Sequence, residues 1–261
     1  MRPISDDQLR AIYASDQEIY PAPLTFDRLR SWVTAYPDLS ICFYVRRQQQ
    51  NTSSISSCGD ITAAPKEEEE QPFGVIVVLP LLRTPHWEDL LVGKVKEIII
   101  DAGTMFPPQP PSSMDKNDLE AAAGVEVGLH VFHIERFIDR DAVMSSDSPP
   151  PRKRFSEVAM EEVLVRVAER MRGWKICGMS ALTATKAGKK TFARMGFTPT
   201  GYHEMFVPAT DGDSNEGEMD MICYYPVPPT KGKERDGDQF AHTAGPAPAA
   251  SEMVVKYFYG R

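Results

Sequence analysis

Apolar residues recur at helical spacing in the first two segments, "DDQLRAIYASDQEIY" (6–20) and "TFDRLRSWVTAYPDL" (25–39). Thr25 stands where an N-cap belongs, and Pro37 where a helix must stop. The pattern then changes. "SICFYVRR" (40–47) is β-branched and aromatic and predicts a strand. "PFGVIVVLPLL" (72–82) is apolar on both faces and predicts a strand central in a sheet. "HWEDLLVGKVKEIII" (86–100) fits either a short helix followed by a strand or one longer helix, and Gly93 favours the split. "GVEVGLHVFHIERF" (124–137) reads as a further strand. "FSEVAMEEVLVRVAERM" (155–171) is a helix with Met160, Leu164, Val167, Ala168 and Met171 on one face and a Glu162–Arg166 pair on the other. "KICGMSALTA", "FTPTGYHEMFV" and "MDMICYYPV" predict strands, and "KAGKKTFARM" a helix between the first two of them. "SEMVVKYFY" (251–259) suggests a last edge strand or a docked tail.

Between these elements lie polar runs. Residues 48–71 have almost no large apolar side chains, and 106–120 are rich in proline and polar residues; both predict disordered insertions. The expected organisation is one domain over 1–227 and a flexible C-terminal tail over 228–261, with room for a terminal strand. The element order predicts an α/β fold: a mixed, mostly antiparallel central sheet of six to seven strands flanked by helices.

Composition narrows the function classes. The formal net charge of -8 argues against nucleic acid as the main partner. The four cysteines, Cys42, Cys58, Cys177 and Cys223, are widely spaced and form no C-x-x-C pair, which suits buried thiols in a reducing compartment. The start of the chain is polar and acidic, unlike a secretory signal, and the longest apolar run, "GVIVVLPLL", is far short of a membrane span. These features predict a cytoplasmic or nuclear protein without a membrane partner. A phosphate-binding loop at "GKKT" is excluded, because Thr183 and Lys190 stand where glycine and Ser/Thr are required. His130, His133 and Glu135 invite a metal reading, but residues three apart on a regular strand face opposite ways, so no metal site is expected.

The element order, together with "FARMGF" (192–197), resembles the GNAT superfamily of acyl-CoA N-acyltransferases. Members run strand, two helices, three antiparallel strands, a long helix, a strand, a helix and two final strands, and the last helix commonly ends in Gly-Phe. The resemblance covers about residues 5–225. It implies an N-acetyltransferase that moves acetyl from acetyl-CoA, as co-substrate, to a small-molecule or peptide amine by direct attack. An alternative is a fold without turnover, acting as a CoA-binding or protein-interaction module.

The resemblance also implies site residues. The long helix would open on a pyrophosphate loop at "RFSEVA", with Arg152, Lys153, Arg154 and Ser156 holding phosphate; Glu157 replaces a family glycine there. Backbone at Val131, Phe132 and His133 would pair with the pantetheine arm of the cofactor. Glu126 would be the general base and His130 a proton relay beside the cleft. Thr185 stands where the family often has an asparagine. Phe192 replaces the tyrosine that protonates the leaving thiolate, a task left to water or Tyr202.

Overall fold

The computed structural model describes residues 1–19, 23–46, 70–109, 124–137, 153–208, 219–224 and 250–258. In chain order the elements are β1 (Arg2–Pro3), α1 (Asp6–Ile19), α2 (Phe26–Ala35), β2 (Ser40–Arg46), β3 (Glu70–Leu82), α3 (Glu88–Leu91), α4 (Ala102–Met105), β4 (Val125–Arg136), α5 (Phe155–Arg170), β5 (Trp174–Thr183), α6 (Lys186–Arg194), β6 (Thr198–Pro208), β7 (Met219–Tyr224) and β8 (Ala250–Tyr257). The expected insertions fall almost wholly outside the described residues. The exceptions are Glu70 and Gln71, which open β3, and Phe106–Gln109. Among the described residues no helix is long and apolar enough to cross a membrane.

All eight strands join one sheet in the order β1-β2-β3-β4-β5-β8-β6-β7. Every neighbouring pair is antiparallel except β4 and β5. This is the α/β, mostly antiparallel mixed sheet expected, with eight strands among the described residues where six to seven were expected, and up to β6 the elements follow the order that the GNAT resemblance implies. Two further features depart from the sequence reading. The segment after Gly93 forms a single 3-10 turn over Glu97–Ile99 where a strand was expected. The terminal segment is no edge strand, since β8 is inserted between β5 and β6 and pairs with both. Its Met253, Val254 and Val255 are buried in the core. Strongly apolar alternation in a strand far along the chain is compatible with an edge or an interior place, and only long-range pairing decides between them.

Local signals hold the helices in register. Thr25 caps α2 by accepting from the Arg28 N–H, and Thr185 caps α6 by accepting from the Gly188 N–H at 3.0 Å. The "FARMGF" stretch closes α6. Gly196 takes φ +83°, the Phe197 N–H reaches the Phe192 carbonyl at 3.1 Å, and the Gly196 N–H reaches the Ala193 carbonyl at 3.1 Å. Phe192 and Phe197 then meet edge to face at 5.0 Å, which completes a Schellman stop and its apolar clasp.

The long helix α5 is anchored by Phe155, whose ring stands edge-on between Phe43 (5.3 Å) and Phe73 (5.5 Å). Its buried face is Ala159, Met160, Val163, Arg166 and Val167. Ala168, expected on that face, is exposed. The Glu162–Arg166 pair forms as expected at 2.9 Å, yet Arg166 is itself buried and reaches across to the Asp38 carbonyl. On the opposite face of the sheet Trp87 lies against the backbone of β4 and β5. A Cβ at Gly128 would sit 2.0 Å from its indole, so a glycine is required there.

Because β8 is interior, the segment Ala250–Tyr257 is part of the core. Met253→Ala is expected to cost about 2–5 kcal/mol of stability in urea unfolding, as for a buried methionine elsewhere in a core. A cost below about 0.5 kcal/mol would place this segment outside the fold.

Candidate functional site

The parallel partners β4 and β5 pair from Val125↔Trp174 to Val131↔Ala181, and there the ladder ends. Both strands continue, β4 to Arg136 and β5 to Thr183. Each stays bonded on its outer side, β4 to β3 as far as Gly74↔Arg136 and β5 to β8 as far as Thr183↔Glu252. The β3–β4 register shifts at Val77/Val78, where Val131 and His133 are successive partners and Phe132 is the extra residue. Such a bulge bends its strand and increases the local twist, which turns β4 away from β5. The result is a cleft of about 130 Å³ between Phe132–Ile134 and Leu182–Thr185.

The cleft is approached from both faces of the sheet. Met179 and Thr183 share one face of β5; α5 lies over the first, and Gly188 of α6 over the second. Thr185, Gly188 and Phe192 therefore line the cleft from the α5–α6 face. Asp16 of α1 and Glu97 line it with the face that carries Ser180 and His130. Phe192 has no hydroxyl to offer, and the Thr185 hydroxyl is engaged in its cap.

The bulge overturns one part of the sequence reading. On a regular strand His130 and His133 would face opposite ways, but the extra residue resets the alternation. His133 lines the same cleft as Glu97, the hydrogen-bond partner of His130. Among the described residues no three His, Cys, Asp or Glu side chains converge closely enough to hold a metal ion.

A buried polar line runs beneath the cleft. The Trp87 indole N–H donates to Ser180 Oγ at 2.9 Å, Ser180 Oγ lies 2.9 Å from His130 Nδ1, and His130 Nε2 lies 2.6 Å from Glu97 Oε1. His130 and Ser180 are fully buried, and Glu97 is 6% exposed. Desolvation pushes the His130 pKa down to about 3. It also raises Glu97 well above the usual carboxylate range, with Glu204 and Asp16 adding repulsion. The 2.6 Å contact is therefore a hydrogen bond between a neutral imidazole and the Glu97 carboxyl and not an ion pair. Ser180, His130 and Glu97 stand in the order of a nucleophilic triad, but the serine is sealed under Trp87 and the carboxyl end meets the cleft.

His133 has a different environment. Burial disfavours its imidazolium, but Asp16 at 3.7 Å and Glu135 at 3.2 Å outweigh burial and leave the pKa raised. The contact with His133 in turn lowers the Glu135 pKa.

The remaining residues expected at the site are elsewhere. Glu126 lies six residues before Phe132, about 20 Å along the strand. It is paired with Lys175 (2.8 Å) and Arg83 (3.0 Å), which lower its pKa, the wrong direction for a base near neutrality. Tyr202 is buried and outside the cleft lining. Its hydroxyl donates to Glu204 at 2.6 Å and accepts from Lys96 at 2.9 Å. Arg152 lies outside the described residues. Lys153 is paired with Glu161 at 2.6 Å. The Arg154 N–H, at the mouth of α5, donates to Glu157 Oε2 at 3.0 Å, and Ser156 is half-buried in the first turn. The helix end thus carries its own carboxylate. Val131, Phe132 and His133 do line the cleft. Glu97 was missed because its segment reads as a strand of no special chemistry. The only signal was a lone acid among apolar residues in "KEIII".

No protein-family model matches the chain, and no curated protein matches it. Among solved structures it is similar to Arabidopsis thaliana NAA60 in complex with acetyl-CoA, with 11% sequence identity, coverage of 99% of this chain and 98% of that one, and a TM-score of 0.43. A likeness this distant says nothing about individual side chains.

The raised His133 pKa has a definite pH signature. Its folded value exceeds the ordinary 6.5, so the stability it contributes is complete below that pH and is lost as pH rises through the folded value. The stability difference between wild type and His133→Gln, from denaturant unfolding, is expected to be largest near pH 6 and to shrink toward pH 9. A difference that grows with pH would contradict the assignment.

Proposed function

We propose that the chain is an acyl-CoA-dependent N-acyltransferase that moves acetyl from acetyl-CoA to a primary amine by direct attack. The observation that carries this reading is the parting of two parallel neighbours after Val131 and Ala181. Backbone donors and acceptors on facing strand edges are left without each other, and an extended arm with amide groups can pair with them as an added strand would. The narrow slot between Phe132–Ile134 and Leu182–Thr185 suits such an arm.

Acetyl-CoA would supply an activated thioester carbonyl. Backbone N–H groups at the bulge would donate to the oxygen on which charge develops. Glu97 takes the place expected for Glu126, because it borders the cleft and burial raises its pKa, which makes its carboxylate a stronger base. It would remove a proton from the incoming ammonium. The amine nitrogen then bonds to the carbonyl carbon, the C–S bond breaks, and the leaving thiolate takes up, through water, the second proton that the nitrogen sheds. The donor would enter from the α5–α6 face and the amine from the side of Asp16 and Glu97, where negative charge attracts an ammonium.

The phosphate end fits less well. Glu157 holds the Arg154 N–H, and its charge opposes an anion at the start of α5. That observation, with Phe192 in the cleft, favours a second reading: a CoA-binding or protein-interaction module without turnover.

Thermal unfolding with acetyl-CoA, followed by thiol release with a panel of primary amines, separates the readings. At a hundredfold excess over Kd, acetyl-CoA is expected to add about 2.7 kcal/mol of stability. Glu97→Gln should keep that gain while turnover falls about 10²–10⁴-fold. Stabilisation without thiol release from any amine would support the module, and no stabilisation would overturn both.

A further inference from the structure

From the geometry of the buried polar line we propose that Trp87, Ser180 and His130 are positioning residues that fix one tautomer of His130 and present Glu97 Oε2 as the proton-accepting atom of the cleft. The proposal rests on the acyl-transfer reading for its chemistry, but the tautomer stands on hydrogen-bond accounting alone.

The direction of the line is set at one end. An indole N–H can only donate, so Ser180 Oγ accepts from Trp87. The serine has a single proton. Among the described residues the Ser180 hydroxyl has two partners, Trp87 and His130, and it is fully buried. A buried hydroxyl proton without an acceptor is costly, so it is directed at His130 Nδ1. Nδ1 is then an acceptor, which requires the neutral ring to carry its proton on Nε2. Nε2–H donates to Glu97 Oε1, 2.6 Å away. Each donor fixes the next.

The far end meets the cleft. Glu97 Oε1 is occupied by His130, while Oε2 has no partner among the described residues, and the carboxyl lines the opening. With Oε1 bound by a donor that cannot turn around, a proton gained or lost by Glu97 is handled at Oε2. The packing explains why the line is rigid: Trp87 lies on the bare backbone of Gly128 and Gly178, with no room for a Cβ beneath it. Its position, and hence that of the Ser180 hydroxyl, is set by the sheet.

The test uses the full chain labelled with 15N-histidine. In wild type at pH 7, His130 is expected to show an unprotonated, pyridine-type Nδ1 and a protonated, pyrrole-type Nε2. The opposite tautomer, or an imidazolium, would overturn the proposal without any variant being made. For the positioning role, Ser180→Ala is expected to lower kcat about tenfold to hundredfold, as the loss of a hydrogen-bond partner that orients a metal-bound histidine does in other proteins, while KM for the amine stays unchanged. An unchanged kcat, or a loss confined to KM, would overturn it. A chain that shows the Nε2–H tautomer but transfers no acetyl would overturn the acyl-transfer reading and leave the directed hydrogen-bond line in place.

Discussion

Two parallel strands that stop pairing halfway are the constraint on which the rest of this structure depends. Unpaired backbone groups are costly unless water or a ligand satisfies them, so β4 and β5 must be pulled apart by something. The pull comes from their outer neighbours. β3 follows β4 to Arg136, and β8 follows β5 to Thr183. The extra residue at Phe132 adds the twist that separates the inner edges. Phe132 is itself held by Trp32 of α2, edge to face at 5.3 Å, so the bulge is fixed by the core and not only by the ladder.

The late strand β8 is what makes the opening sustainable on the β5 side. With β5 bonded to β8 and β8 to β6, the sheet continues past the gap and does not end at it. The helices divide the labour. α5 and α6 cover one face by successive crossovers of the same hand, while the segment carrying Trp87 and Glu97 closes the other. Buried polar groups on that second face are satisfied in series, from Trp87 through Ser180 and His130 to Glu97, and the series ends where the cleft begins. The same packing that stabilises the sheet therefore delivers a carboxyl of raised pKa to the gap. The tension in the molecule lies at the start of α5, where Glu157 caps the helix. A cap of this kind stabilises the helix by satisfying a terminal donor, and it sets a carboxylate at the positive end of the helix dipole.

Much of the fold was legible in the sequence. Helical spacing found α1, α2 and α5, β-branched runs found β2, β3 and β4, and the Gly196 stop located the end of α6, because each is a local signal with a local cause. What was not legible depends on contacts distant in sequence. The place of β8 is decided by β5 and β6, and no property of "SEMVVKYFY" alone specifies it. The bulge at Phe132 leaves no residue signature in "LHVFHI", yet it reverses the alternation and brings His133 to the cleft. Among the candidate site residues, Val131, Phe132 and His133 line the cleft where the family resemblance placed them, since that expectation concerned a stretch of extended backbone and no particular side chain. Glu126 and Tyr202 were misplaced because their partners, Arg83, Lys175, Lys96 and Glu204, come from other elements. Glu97 was missed for the same reason: only burial beside His130 distinguishes it.

The account stands or falls on whether the gap between β4 and β5 receives the donor's arm. Amide hydrogen exchange, measured residue by residue with and without acetyl-CoA, tests this most directly. New protection is predicted at Phe132–Ile134 and Leu182–Thr183, where strand edges acquire partners, with little change in the paired stretch from Val125 to Val131. Binding of acetyl-CoA that leaves those edge amides exchanging as before would contradict the account.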